Sequence, residues 1–372
     1  MIAYVVSSLS EVEKLKESWK RIYANSSQEN PFLCWEWNWL WMSCYTSLDS
    51  VRVIVVKDDE KIICIAPFCI KNKEISFLAD SLYSDYMDII AEECTSDVVK
   101  LVTKKLIEFK DWDRLSLLTL PGNSDSHKYF ELELKKHTIS AEKSVIHANP
   151  YIDITGQFDA YIQSRSNGVK KELRRSKNKL DKTFERWEFF EAKNLSENQE
   201  VLDALVRFHL GRQGAKVGTS IFEDKKNRDF YKGLICNTEI PWDIHLCGIK
   251  ADGEFVTASI SIITNNVLYY WITAFDYSLG GGSIGNFHVR YLTEKCFKEG
   301  YKRLDFMGGT EAYKMRWATG SYDNYRVLAY RSRFKLLRDR VWSVLRKKLQ
   351  YLKDNSRTWN LIWIQISKFV GK

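Results

Sequence analysis

The chain has 372 residues, 45% of them hydrophobic and only 5 proline, so it reads as folded throughout and too long for one comfortable core. No run approaches the roughly 20 apolar residues of a membrane span, and the eight scattered cysteines show neither CxxC nor a Cys/His metal spacing. The net charge of +8 is local: residues 331–372 hold 12 Lys/Arg against 2 Asp/Glu, leaving 44 basic and 46 acidic residues elsewhere, which argues against a dedicated nucleic-acid fold.

The N-terminus, MIAYVVSSLSEVEKLKE, has no basic n-region and turns acidic at once, so no secretory signal is expected and a cytoplasmic protein with reduced thiols is. Tryptophans crowd PFLCWEWNWLW (31–41), most simply a core helix. Residues 51–56, 61–70 and 74–79 form a meander turned by KDDE and KNKE, followed by a helix over 96–110 and a strand at 114–118. Residues 244–250, 254–264 and 267–275 repeat the meander with turns at ADGE and TNN. A helix from about 286 to 298, stopped by Gly300, then leads to a strand at 303–307. Strand-strand-strand-helix-strand thus occurs twice, which predicts a tandem duplication of one α/β (α+β) unit. The expected domains are 1–148, 149–330 and a basic helical tail, 331–372.

Only the second copy has a glycine-rich entry to its helix, SLGGGSIGNFH (278–288), where converging backbone N–H groups and a helix N-terminus suit a phosphate. Its last strand runs into DFMGGTEAYKMRWATG (305–320), an unusual mix of acid, phenol and ammonium.

These segments resemble the GNAT-fold acyltransferases of the Fem-like and cellulose-biosynthesis-associated type, in which an aromatic strand, a D-Y-S…G loop, a helix ending E-x-G and D-F-x-x-G-x-E-x-Y-K-x-x-W follow in order. YIQSRSNGVKKELRRSKNKL (161–180), residues 205–231, NPFLCWEWNWLWMSCY (30–45) and SDYMD (84–88) resemble the same family, over roughly residues 30–325. The resemblance implies tandem GNAT-like domains, each a mixed sheet flanked by helices. It implies a thioester donor on the second domain and an acceptor on a degenerate first.

Acyl transfer from acyl-CoA needs an anchor for the donor pyrophosphate, a polarised thioester carbonyl and a neutral amine. Gly282, Ser283, Gly285 and Asn286 are the donor-phosphate candidates, though Asn286 equally suits a helix cap. Lys314 lies where Fem-like enzymes place a functional lysine; it could stabilise charge on the carbonyl oxygen. Glu311 could take a proton from the incoming ammonium or merely pair with Lys314 or Arg316. Tyr313 could donate to the leaving thiolate or pack, and Asp305 reads as a satisfied buried acid. The basic stretch 170–186 is a solvated face from which Arg174 or Arg175 could meet a phosphate. Arg207, His209 and Arg212 fringe one helix end, with His209 a candidate base. Trp35, Asp85 and Tyr86 are the acceptor-side candidates.

The expected reaction is acyl-CoA-dependent N-acylation of a dTDP- or UDP-linked amino sugar for bacterial surface polysaccharide or O-antigen synthesis. The co-substrate would be acetyl-CoA or a short hydroxyacyl-CoA; no metal and no nucleic-acid partner are expected, and a monomer is. The alternatives are a Fem-like aminoacyl-tRNA-dependent transferase, against which the lack of a heptad-rich insertion counts, and a non-catalytic membrane-binding scaffold. In the tail, Phe334, Leu337, Val341, Leu345 and Leu349 share a helical face, and Trp359, Trp363, Ile366 and Val370 continue a similar stripe. That helix either packs on the body or gives a peripheral contact with an anionic membrane.

Overall fold

The structure, a computed structural model, describes residues 1–26, 30–45, 50–79, 84–138, 140–215, 220–279 and 283–355. The first half runs β1 (Ile2–Val6), α1 (Leu9–Glu13), α2 (Lys16–Asn25), a 3-10 turn at Pro31–Leu33 and α3 (Trp35–Tyr45). Then come β2 (Val51–Asp58), β3 (Lys61–Lys71), β4 (Glu74–Phe77), β5 (Ile90–Ala91), α4 (Ser96–Glu108), β6 (Arg114–Pro121), α5 (Ser126–His137) and β7 (Ser140–Asp153). The second half runs α6 (Phe158–Ser164), α7 (Asn167–Thr183), β8 (Trp187–Glu191), α8 (Leu195–Ala215), α9 (Lys225–Ile235), β9 (Asp243–Ala251), β10 (Glu254–Thr264) and β11 (Val267–Phe275). It closes with α10 (Ser283–Glu299), β12 (Arg303–Asp305), α11 (Ala312–Trp317), β13 (Gly320–Tyr330) and α12 (Arg333–Asn355).

Turn chemistry closes both meanders as the sequence predicts. Asn72 and Lys73, Asp252 and Gly253, and Asn265 and Asn266 all take positive φ, the two-residue hairpin geometry that matches strand twist. The repeated order β2-β3-β4-α4-β6 and β9-β10-β11-α10-β12 is present, and in each copy the strand after the helix pairs parallel to the third meander strand.

The two copies do not keep separate sheets. The described strands form one sheet in the order β1-β2-β3-β4-β6-β13-β7-β12-β11-β10-β9-β8, with β5 beside β3. β13, from the end of the second half, inserts beside β6 and pairs antiparallel with β7 from Gly320↔Tyr151 to Tyr330↔Ser140. β7 also pairs with β12, so the expected boundary at 148/149 falls inside a strand serving both halves. Joining the sheets removes edges that two separate units would expose.

Helix α3 is rich in tryptophan because it packs between the halves. Trp37 packs edge-on against Trp271 (ring centroids 5.4 Å) and Phe230 (5.1 Å), while Trp242 Nε1 donates to the Pro31 carbonyl at 3.0 Å. One continuous core spans both halves, and α8 packs into it on β10 and β11. A second core, in the second half, is covered by α6, α7 and α10.

Candidate active site

Strand β12 ends abruptly because Met307 adopts a left-handed φ of 58°, and its N–H turns back to Asp305 Oδ1 at 2.7 Å. Asp305 is 1% exposed. Tyr86 donates to its Oδ1 at 2.7 Å and Tyr322 to its Oδ2 at 2.8 Å. Burial nevertheless pushes this carboxyl up to about 6, with the two hydroxyls and the Met307 N–H pulling the other way. Asp305 is thus a satisfied buried acid tying a first-half tyrosine to the β12 end.

The next residue gathers the charged groups. Gly308 N–H donates to Asp85 Oδ2 at 3.3 Å, and a Cβ there would stand 2.6 Å from His147 Nε2 and 3.0 Å from Asp85 Oδ1. Only glycine admits that approach. Gly309 then takes φ +112°, and Glu311 opens α11. Lys314, 7% exposed, reaches back to the Gly308 carbonyl (2.6 Å) and pairs with Glu311 (3.1 Å). From β13, Asn324 Nδ2 donates to the Asp85 carbonyl (2.6 Å) and faces His147 Nε2 at 3.3 Å.

Asp85, His147, Glu311 and Lys314 therefore meet at the seam between the halves. Burial pushes Asp85 above the usual carboxylate range, against Lys314 and the Gly308 N–H. Burial lowers His147, Lys314 adding to that shift while Asp85 and Glu311 oppose it. A neutral imidazole beside two carboxylates and a buried ammonium can attract an ammonium and accept its proton.

The glycine-rich side is built differently. Asn286, in the first turn of α10, is 7% exposed and bridges three helices: Nδ2 donates to Glu172 Oε1 of α7 (2.8 Å), and Oδ1 accepts from Trp317 Nε1 of α11 (3.2 Å). Glu172 Oε2 also pairs with Arg316 at 2.9 Å. Asn286 thus fixes where the α10 N-terminus lies. Gly285 faces the Phe275 ring, which an added Cβ would meet at 3.5 Å. Gly282 lies outside the described residues, and of Ser283 only the backbone, the first residue of α10, is described. Arg174 and Arg175 are both exposed on α7. Arg175 shares a helical face with Glu172 and Lys179, whose Nζ donates to the Leu279 carbonyl, so it faces the loop side. Arg174 is turned about 100° away.

Beside α10 the two parallel strands part. Their pairing ends at Tyr269↔Asp305, whereas β11 continues to Phe275 with only β10 as a described partner beyond that point. The freed backbone edge of β11 and the α10 N-terminus together fit an extended amide-bearing arm that ends in a phosphate.

The remaining expected residues serve packing or lie elsewhere. Trp35 is 3% exposed, stacked on Trp39 (5.0 Å, 18°) and edge-on to Trp19, which leaves no ring face for a ligand. Tyr86, 2% exposed, supports Asp305 instead of facing solvent. Arg207 is exposed, 3.9 Å from Glu254. His209 Nδ1 lies 2.7 Å from Ser220 Oγ with its ring edge on Phe222, on the α8 face. Tyr313 is half-buried against Phe306 (6.3 Å, 85°).

Sequence reasoning missed His147 and Asn324, which carry no local motif. It also missed a buried network beneath α10, in which His288 lies 2.7 Å from Thr257 Oγ1, 2.9 Å from Ser259 Oγ and 3.5 Å from Cys247 Sγ. His245 and His288 hold the Cys247 thiol well below its ordinary range despite burial. The only signal was polar residues on otherwise apolar strands.

Among the described residues, no group of three or more His, Cys, Asp or Glu side chains is arranged to hold a metal. The family model described as an acetyltransferase (GNAT) domain matches residues 167–315. The fold is that of a GNAT-type acyltransferase. Similar solved structures include a conserved protein of unknown function from Bacteroides thetaiotaomicron (13% identity, 85% of this chain and 97% of that one, TM-score 0.56). FemX is another (9%, 88% and 97%, 0.56), as is L-PGS from Bacillus licheniformis (13%, 86% and 92%, 0.53). These identities speak to fold alone. No curated protein matches the chain in sequence.

Proposed function

We propose that the protein transfers an acyl group from acyl-CoA to the amine of a nucleotide-linked amino sugar, with chemistry at the seam beside Gly308. The observation that carries this reading is the convergence of Asp85, His147, Glu311 and Lys314 where β11 and β12 part. The donor supplies an activated carbonyl, and its phosphates suit the α10 N-terminus, with Arg175 alongside. Asp85 and Glu311 attract the cationic amine. His147 accepts the proton, so that the C–N bond forms as the C–S bond breaks and the thiolate leaves to be protonated. Two of the three Lys314 N–H donors hold the Gly308–Glu311 turn; the third is available to the carbonyl oxygen.

The test is thiol release by the purified protein from several acyl-CoAs with dTDP- and UDP-amino sugars. Acceptor-dependent release is expected; silence across the panel sinks the sugar reading. A second reading, transfer of an aminoacyl group from tRNA, draws support from the fold shared with FemX over nearly the whole chain. Thermal stabilisation by CoA separates the two, since only a ligand of the folded state raises the melting point.

A further inference from the structure

Helix α12 leaves the body with one side attached and the opposite side bare. Its attachment runs through Asp339, which accepts from Arg114 Nη1 at 3.0 Å, and the Tyr330 hydroxyl lies 3.4 Å away. Leu336 is half-buried on the same side, and just before the helix Arg331 donates to the Phe109 and Ile107 carbonyls. At about 100° per residue, Phe334, Leu337, Val341, Trp342, Val344 and Leu345 fall within an arc of roughly 160° on the side away from Asp339. Their exposures run from 43% for Leu345 to 76% for Phe334. Six large apolar side chains on one helical face exceed what scattered surface residues explain.

The charge around that face decides what covers it. Residues 333–348 contain seven Lys/Arg and one acid, Asp339, and that acid faces the body. Arg333 and Arg340 flank one side of the apolar arc and Arg346 the other, all exposed. Arg338 lies within the arc, with its Nε 3.5 Å from Asp339 Oδ1. A second copy of this helix would bring like charges together, whereas an anionic bilayer offers acyl chains for the stripe and phosphates for its borders.

We propose that α12 docks the protein on an anionic lipid surface, with Phe334, Leu337 and Val341 inserted at the acyl boundary and Arg333, Arg340 and Arg346 at the phosphates. The helix lies in the interface plane; among the described residues, no helix is long and apolar enough to cross a membrane.

Flotation of the full chain with phosphatidylglycerol/phosphatidylcholine vesicles, and with phosphatidylcholine alone, tests the docking. Binding to the anionic vesicles that weakens with salt is expected. Phe334→Ser/Leu337→Ser/Val341→Ser and, separately, Arg340→Glu/Arg346→Glu should each lower the partition coefficient at least about tenfold, with thermal unfolding unchanged because the altered side chains are exposed. The proposal is overturned if the wild-type chain does not float, if both variants float equally well, or if binding ignores lipid charge. Light scattering closes the remaining route: a dimer that the apolar variant dissolves, without vesicle binding, makes a second copy the occupant and overturns the lipid assignment.

Discussion

Asp305→Asn isolates the cost of holding a carboxylate at the seam. Burial pushes the carboxyl up to about 6 in the folded chain from an ordinary 3.8, a difference equivalent to about 3 kcal/mol. The folded value is raised, so the acid's contribution is fully present below about pH 4 and is lost as pH rises toward 6 and beyond. Asparagine keeps the shape, accepts from Tyr86 and Met307 through Oδ1 and donates to the Tyr322 oxygen, but does not titrate. Any constant offset from the reversed Tyr322 bond cancels when pH values are compared. Urea unfolding of both proteins from pH 4 to pH 7.5 should show the variant gaining about 2–3 kcal/mol relative to wild type over that range. A difference that stays flat with pH would refute the reasoning, and one of opposite sign would mean that the tyrosine hydroxyls stabilise the anion more than burial penalises it.

Three further outcomes test the site itself. His147→Gln should remove the acidic limb of the kcat/KM profile: His147 is held below the ordinary histidine value, so the neutral base forms, and activity rises, at a pH under about 6.5. Retention of the same limb in the variant assigns the base elsewhere. Lys314→Met, which keeps the buried stem, should lower turnover by about 10²–10³ while CoA still raises the melting temperature; unchanged turnover removes the lysine from the mechanism. Asn286→Ala orphans Trp317 Nε1 and breaks the Glu172 bond, so unfolding free energy should drop by about 1–3 kcal/mol and CoA-induced stabilisation should shrink. Normal stability with normal CoA response would mean that the bridge positions nothing.

The glycine pair at 308 and 309 shows how far a motif can be read. Its position after an apolar strand and before E-x-Y-K marks a turn, yet the need for glycine at 308 comes from His147 and Asp85, 161 and 223 residues away in sequence. Glu311 and Lys314 were legible because they sit in the motif; Asn324 was not, because nothing near it in the chain reveals that it faces Asp85. The tryptophan-rich run reads most simply as a core helix and is one: Trp35 stacks on Trp39 within the first half, and Trp37 meets Trp271 of the second.

What the sequence by itself determined is everything governed by short-range physics: the meanders from alternation and turn residues, the α10 and α12 helices from periodicity, and the repeat from their order. Tertiary structure alone decided that β13 crosses back beside β6, that the halves share one sheet, and that the charged groups meet at its seam. Strand pairing between distant segments depends on which edges remain open once the local units have formed, and that information is spread over the whole chain rather than held in any window of it.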